Sequence, residues 1–304
     1  MSPAAATSVR DAHSVPAEVL RRIREIEIKA RILADEGFLG SYRSVFRGSG
    51  LEFEEVREYQ PGDEIRTIDW NVTARTGTPY VKKYREEREL NVVLAVDVSA
   101  SSWFGTVQAS KRELTAAVSA LLAVSAMKVN DRVSLVLFGD RVLDYHPPRR
   151  GHDHLVRLIR AVLYEDAGRA RTSISAAADF LRTIAKKRSV VFFVSDFFDE
   201  GWEPSLRLLG RRHDVIAVPL SDPREAELPR VGVVRLEDAE TGVVRSIDTG
   251  SAALRQAYAE EAARRRAERI RAFGRLGVDS VELSTDRPYL PPLLALFRTR
   301  THRH

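Results

Sequence analysis

Three oxygen-bearing side chains alternate in the stretch NVVLAVDVSASS, where Asp97, Ser99 and Ser101 follow directly on an apolar run. In a locally extended turn, alternate side chains point the same way, so the carboxylate and two hydroxyls share one side while Val98 and Ala100 take the other. A second acid, Asp196, closes the apolar run SVVFFVSD, and a hydroxyl-bearing loop, Arg171-Thr172-Ser173, stands just before a helix-like segment. A carboxylate at the end of a buried strand is stripped of water and needs a cation or several donors. Carboxylate and hydroxyl oxygens are hard ligands, suited to Mg²⁺, with Mn²⁺ or Ca²⁺ as alternatives, and poorly matched to Zn²⁺ or copper. The residues alone leave a plainer reading open: Asp97 caps the next helix and the serines are ordinary turn formers.

Other chemistries find less support. The chain has no cysteine, so disulfides, thiolate metal sites and thiol nucleophiles are excluded. No G-x-x-x-x-G-K loop is present, so ATP hydrolysis by this chain is not expected. A metal-dependent hydrolase built on the same oxygens is the alternative function, but it needs a general base and no histidine stands at a strand end. His152-Asp153-His154 has a spacing that could seat a transition metal and reads more simply as a solvated loop; His302 and His304 read as incidental. Arg264, Arg265, Arg266, Arg269, Arg271 and Arg275 share a helix with Glu260, Glu261 and Glu268, a pattern of local ion pairs more than a nucleic-acid stripe. The net charge of +5 is spread along the chain and does not argue for a nucleic-acid partner. Asp63, Arg66, Asp69, Trp70 and Arg75 read as a clamp holding a small segment onto a larger domain.

The elements that must position these groups follow from periodicity. Residues 1–15 are polar and without pattern, a tail. Val19, Ile23, Ile26, Ala30 and Leu33 recur at helical spacing and predict an amphipathic helix ending near Gly37. Residues 40–90 predict short strands and loops, with a type II turn at Gln60-Pro61-Gly62-Asp63, so 16–90 forms a helix plus a small β-rich segment. From 91 to 300, apolar strands at 91–97, 132–139, 189–196, 214–220 and 278–284 alternate with helices near 107–129, 151–164, 174–187, 202–211 and 251–274. This alternation predicts an α/β domain with a mostly parallel, doubly wound sheet. Residues 141–147 add an antiparallel edge strand, and 231–248 a hairpin insertion around Thr241-Gly242. In such a sheet, ligands gather at the carboxyl edge, where Asp97 and Asp196 both stand. No apolar run is long enough to span a bilayer and the N-terminus lacks a signal-peptide core, so a cytoplasmic protein without a membrane span is expected.

At these residues the chain resembles the von Willebrand factor A fold with its metal-ion-dependent adhesion site. The resemblance implies that Asp97, Ser99 and Ser101 form the first ligand group, Thr172 the second and Asp196 the third, with Mg²⁺ as the expected ion. Two departures accompany it: Ala170-Arg171 stand where a glycine pair is common, leaving Ser173 as a fallback for Thr172, and Ser102-Trp103 follow the triplet where relatives often carry Met. A closer likeness covers about residues 16–300. FEEVREYQPGDEIRTIDWNVTARTGTPYVKKYREEREL, with its Pro-Gly-Asp turn, Arg66-x-x-Asp69-Trp70 and Ala74-Arg75, is similar to the bacterial domain-of-unknown-function family numbered fifty-eight, usually encoded beside MoxR-type AAA+ ATPases. Many relatives carry two membrane helices ahead of this block; the amphipathic helix here implies a soluble branch. The resemblance implies a non-enzymatic adaptor that partners a MoxR-type ATPase and binds a client protein through a carboxylate presented to the metal.

Overall fold

The computed structural model describes residues 17–46, 50–87, 89–106, 109–165, 167–168, 171–238 and 240–301; the side chains of 50–55 and 83–87 and the expected tail at 1–15 lie outside the description. The chain opens with α1 (Ala17–Leu33), which buries Ile23 and Ala30 as the periodicity requires. The helix breaks at Gly37, as expected. Gly37 takes a φ of 122°, a non-helical conformation only glycine adopts without strain, and this kink separates the first helix from a second, α2 (Leu39–Val45). This corrects the expectation of short strands there: Tyr42 and Val45 are helical and Phe46 ends the helix. Phe38, Tyr42 and Phe46 recur every fourth residue and pack their rings on Phe297, at centroid distances of 5.0, 6.2 and 5.3 Å. Ile23, Ala30, Ala34, Phe38, Tyr42 and Phe46 therefore share the core of the sheet that follows.

That segment is a two-stranded antiparallel ribbon, β1 (Gly50–Glu58) and β2 (Tyr80–Glu87), bridged by α3 (Trp70–Thr76). The Asp63 amide donates to the Gln60 carbonyl (3.0 Å) around Gly62 at φ 111°, as a type II turn demands. The expected clamp is not what the charges make. Arg57 pairs with Asp63 through two bonds of 2.8 and 2.7 Å, and Asp69 caps α3 and meets Lys82 at 3.2 Å, so both pairs lie within the segment itself. Trp70 is 67% exposed.

The central sheet is built from β3 (Asn91–Asp97), β4 (Arg132–Phe138), β5 (Val142–Arg149), β6 (Ser189–Ser195), β7 (Asp214–Ser221), and two short pieces introduced below. β3, β4, β6 and β7 are parallel, and β5 closes one edge antiparallel to β4, as the sequence predicts. β3 is central, flanked by β4 and β6. It is apolar on both faces because both are covered: Val92, Leu94 and Val96 pack toward α1, α4 (Lys111–Lys128), α5 (His152–Tyr164) and a C-terminal helix, whereas Val93 and Ala95 pack toward α6 (Ile174–Ile184) and α7 (Glu203–Gly210). A single turn, α8 (Pro223–Ala226), follows β7. The insertion is the expected hairpin, β8 (Val233–Glu237) against β9 (Val244–Asp248), and it leads into α9 (Ala252–Leu276). The strand expected at 278–284 is two fragments, β10 (Asp279–Ser280) and β11 (Leu283–Ser284), both parallel to β7 and interrupted where Glu282 turns to Arg266 and Arg269. Helix α10 (Leu290–Thr301) carries Phe297 back into the core. Among the described residues no helix is long and apolar enough to cross a membrane.

Candidate metal centre

Asp97, Ser99, Ser101, Thr172 and Asp196 converge at the carboxyl edge of β3 and β6. Parallel neighbours β3 and β6 end side by side, so their terminal acids are neighbours too. After Asp97 the chain turns back on itself: the Ser99 amide donates to Asp97 Oδ1 at 2.9 Å, and Ala100–Trp103 forms a tight 3-10 turn where an extended turn was expected. The hydroxyls still meet, Ser99 Oγ and Ser101 Oγ at 3.1 Å, with the turn pinned by Ser102 Oγ donating to the Ser99 carbonyl (2.7 Å). Ser101 Oγ donates to Asp196 Oδ2 at 2.7 Å, joining the first strand end to the second. Thr172 Oγ1 lies 2.9 Å from Ser99 Oγ and 3.2 Å from Asp97 Oδ2, joining the loop before α6. The fallback residue has another partner: Ser173 Oγ caps α6 by accepting from the Ala176 amide at 3.3 Å. Asp97 does not cap α4. That cap is Ser110, in a reciprocal box with Glu113.

Six further residues complete the site, and of these the sequence reading named only Arg269, as part of a solvated ion-pair face. Ser195 Oγ donates to Asp97 Oδ2 at 2.7 Å. Lys111, buried at the start of α4, extends its ammonium to Asp196 Oδ2 (2.9 Å) and to Glu225 Oε1 on α8 (2.5 Å). Arg269 donates to the Asp196 carbonyl at 2.8 Å. Glu240, from the turn between β8 and β9, accepts from Thr172 Oγ1 at 3.4 Å. Phe197 holds a φ of 57°, a costly conformation for an aromatic residue, and this bend brings the Phe198 amide to Asp196 Oδ1 at 3.3 Å. A cavity of about 10 Å³ between Asp97, Ser101, Lys111, Ser195 and Asp196 is on the scale of one water-sized species.

The electrostatics are uneven. Burial, and after it the charge of Asp196, pushes Asp97 up to about 6. Burial works on Asp196 in the same direction, but the Lys111 ammonium and the donors around Asp196 outweigh it and hold this carboxyl below its ordinary range. Lys111 is raised, because the pull of Asp196 and Glu225 exceeds the cost of burying its charge. Glu225 and Glu240 are both raised, by burial first. Among the described residues no three His, Asp or Glu side chains come close enough to hold a metal by themselves; here two carboxylates meet three hydroxyls.

The remaining motifs have other duties. His152 and His154 lie on the first turn of α5, two residues apart and so on different sides of the helix; His152 meets Glu27 at 3.1 Å and His154 the Val133 carbonyl at 2.8 Å. Arg264 and Arg265 form the expected local pairs with Glu261, at 2.6 and 2.7 Å.

The family model described as "Protein of unknown function DUF58" matches residues 55–268. This chain belongs to the DUF58 family. Its span contains the whole constellation, from Asp97 to Glu240. The uncharacterized protein Rv1480 of Mycobacterium tuberculosis is 36% identical over 284 residues, covering 91% of this chain and 88% of its own. The uncharacterized protein YeaD of Bacillus subtilis is 28% identical over 114 residues, 37% of this chain and 26% of its own. Among solved structures, the conserved hypothetical protein BatB of Bacteroides thetaiotaomicron covers 70% of this chain and 99% of its own, at 16% identity and a TM-score of 0.46.

Proposed function

We propose that this DUF58 protein is a metal-dependent protein-binding adaptor whose sheet domain is von Willebrand factor A-like and whose carboxyl edge is a metal-ion-dependent adhesion site. One observation carries the reading: Asp97, Ser99, Ser101, Thr172 and Asp196 come from three separate loops and close one continuous chain of oxygen contacts. The donor set fits a hard divalent ion. The charge balance also favours one, since Asp196 and Glu225 share the ammonium of Lys111 while Asp97, beside Asp196, is met by amide and hydroxyl donors. The hydroxyls of Ser99, Ser101 and Thr172 would hold Mg²⁺, with Asp97 and Asp196 behind them. Bound through neutral oxygens, the ion supplies a positive point that accepts a carboxylate from another protein.

The residues around the site serve that role by holding the oxygens still. The Ser102 and Ser195 bonds fix the two strand ends, and Phe197 turns the chain so that Asp196 faces inward. A MoxR-type AAA+ ATPase as partner, a client carrying the carboxylate and a cytoplasmic location enter the proposal through the family resemblance. Calorimetric titration with Mg²⁺ tests the metal, and a pull-down of the ATPase with and without chelator tests the partner; association that survives chelation contradicts the reading.

One observation favours a second reading. Lys111 already pairs with both Asp196 and Glu225, at 2.9 and 2.5 Å, so the same groups can serve as a metal-free knot that ties α4 and α8 to the sheet edge. On that reading Mg²⁺ leaves the protein's stability unchanged.

A further inference from the structure

Two acids at this site come from neither strand end: Glu225 on α8, which Lys111 holds, and Glu240, which meets Thr172. Glu240 is carried there by the hairpin, whose base is tied by Thr249: its amide and hydroxyl donate to the Gly232 carbonyl at 2.9 and 2.6 Å, and the hydroxyl accepts from the Val231 amide at 3.0 Å. The tip is shaped by Asp238, whose Oδ1 accepts from the amides of Glu240 and Thr241, both at 2.9 Å. The hairpin carries Val233, Val243 and Val244 exposed, so it is not held out by a core of its own.

What Glu240 meets there is short of protons. Thr172 Oγ1 stands within 3.4 Å of Glu240 Oε1 and 3.2 Å of Asp97 Oδ2, and a threonine hydroxyl has one proton to give. Among the described residues Thr172 is the hydrogen-bond partner of the Glu240 carboxylate, so one of the two acids is left without that donor. A half-buried carboxylate brought beside Asp97 and Asp196 without a donor is unfavourable, and a cation removes the difficulty.

We infer that Glu240 fills, from within this chain, the carboxylate position that the metal offers to a partner, so that the hairpin is an internal occupant which an incoming protein must displace. The inference rests on the metal reading above and adds to it a resting state in which the site is closed by its own chain. A partner that opens it has to present a carboxylate and move the hairpin, whose exposed valines are the surface available to grip.

The test uses the full chain and Mn²⁺ alone, followed by calorimetry for affinity and by water-proton relaxation for the number of waters on the bound ion. The variants are Ser99→Ala and Glu240→Ala, with circular dichroism to confirm that both fold. Glu240→Ala, which removes both carboxylate oxygens, is expected to weaken Mn²⁺ by on the order of tenfold and to add an exchangeable water to the bound ion. An unchanged hydration number in Glu240→Ala overturns the inference, whatever the affinity; if Ser99→Ala binds weakly in the same series, the metal reading survives that failure. Absence of Mn²⁺ binding by the wild type overturns both.

Discussion

Two buried carboxylates stand at the carboxyl edge of the same sheet and have opposite characters. Asp222, just past β7, accepts from the Thr106 amide and hydroxyl (3.0 and 2.5 Å), the Thr285 hydroxyl (2.7 Å) and the Arg224 amide (2.9 Å). Although burial opposes its charge, those donors hold it below the ordinary carboxylate range. Asp97, at the end of β3, has fewer donors, faces Asp196 and is pushed up to about 6. The first carboxylate is satisfied by the fold and ties three loops together. The second is held short of satisfaction, which is what the proposed metal role requires of it.

The largest expected effect lies on the unsatisfied side. Lys111→Ala leaves Asp196 and Glu225 buried without their ammonium and is expected to cost about 3–5 kcal/mol in a urea melt without metal. On the adhesion-site account, Mg²⁺ recovers part of that loss; on the knot account it recovers none. Asp222→Asn is next, an expected loss of about 1.5–3 kcal/mol with Mg²⁺ affinity unchanged. Asp97→Asn reverses both outcomes: metal-free stability at neutral pH is maintained or raised, and Mg²⁺ binding is lost.

The pH dependence separates the pair by sign. Folded Asp97 keeps its proton to about 6, whereas its ordinary value is 3.8, so in that interval the folded state holds more protons and this group's contribution to stability falls as pH rises. Asp222 is lowered in the folded state, so its contribution is present above the ordinary value and is lost as pH falls through the folded one. Chelated wild type compared with Asp97→Asn across pH 4 to 6 isolates the first, since Asp131, also raised to about 6 by burial, is common to both proteins. A difference that grows with acidity in favour of the wild type agrees with the account; parallel curves contradict it. The smallest effect is at Ser110, the cap of α4: Ser110→Ala is expected to cost about 1 kcal/mol and to leave metal binding alone.

Much of this site was legible because strand-end acids announce themselves. Asp97 and Asp196 each close an apolar run, and parallel strands that neighbour one another bring such acids together whatever their distance in sequence. Thr172 was legible as a hydroxyl before a helix. Lys111 and Arg269 were not, because a basic residue on a helix reads as solvated until tertiary packing turns it inward. Asp222 and Glu225 left a usable trace, since Asp-Pro-Arg-Glu is a helix-start pattern with an acid three residues on. Glu240 left none. Its place depends on how the hairpin folds back over α6's loop, which local patterning does not encode. Helix α2 was hidden for a different reason: the helix end at Gly37 led on to expected strands and loops, while the four-residue recurrence of Phe38, Tyr42 and Phe46 found its purpose only against Phe297 on a helix about 250 residues away.

The central claim is that Asp97, Ser99, Ser101, Thr172 and Asp196 bind a divalent cation, and calorimetric titration of Mg²⁺ into the wild type and Ser99→Ala, in parallel, tests it most directly. The account predicts saturable binding of one ion by the wild type and loss of most of that affinity in Ser99→Ala; no binding by the wild type, or equal binding by both, contradicts it.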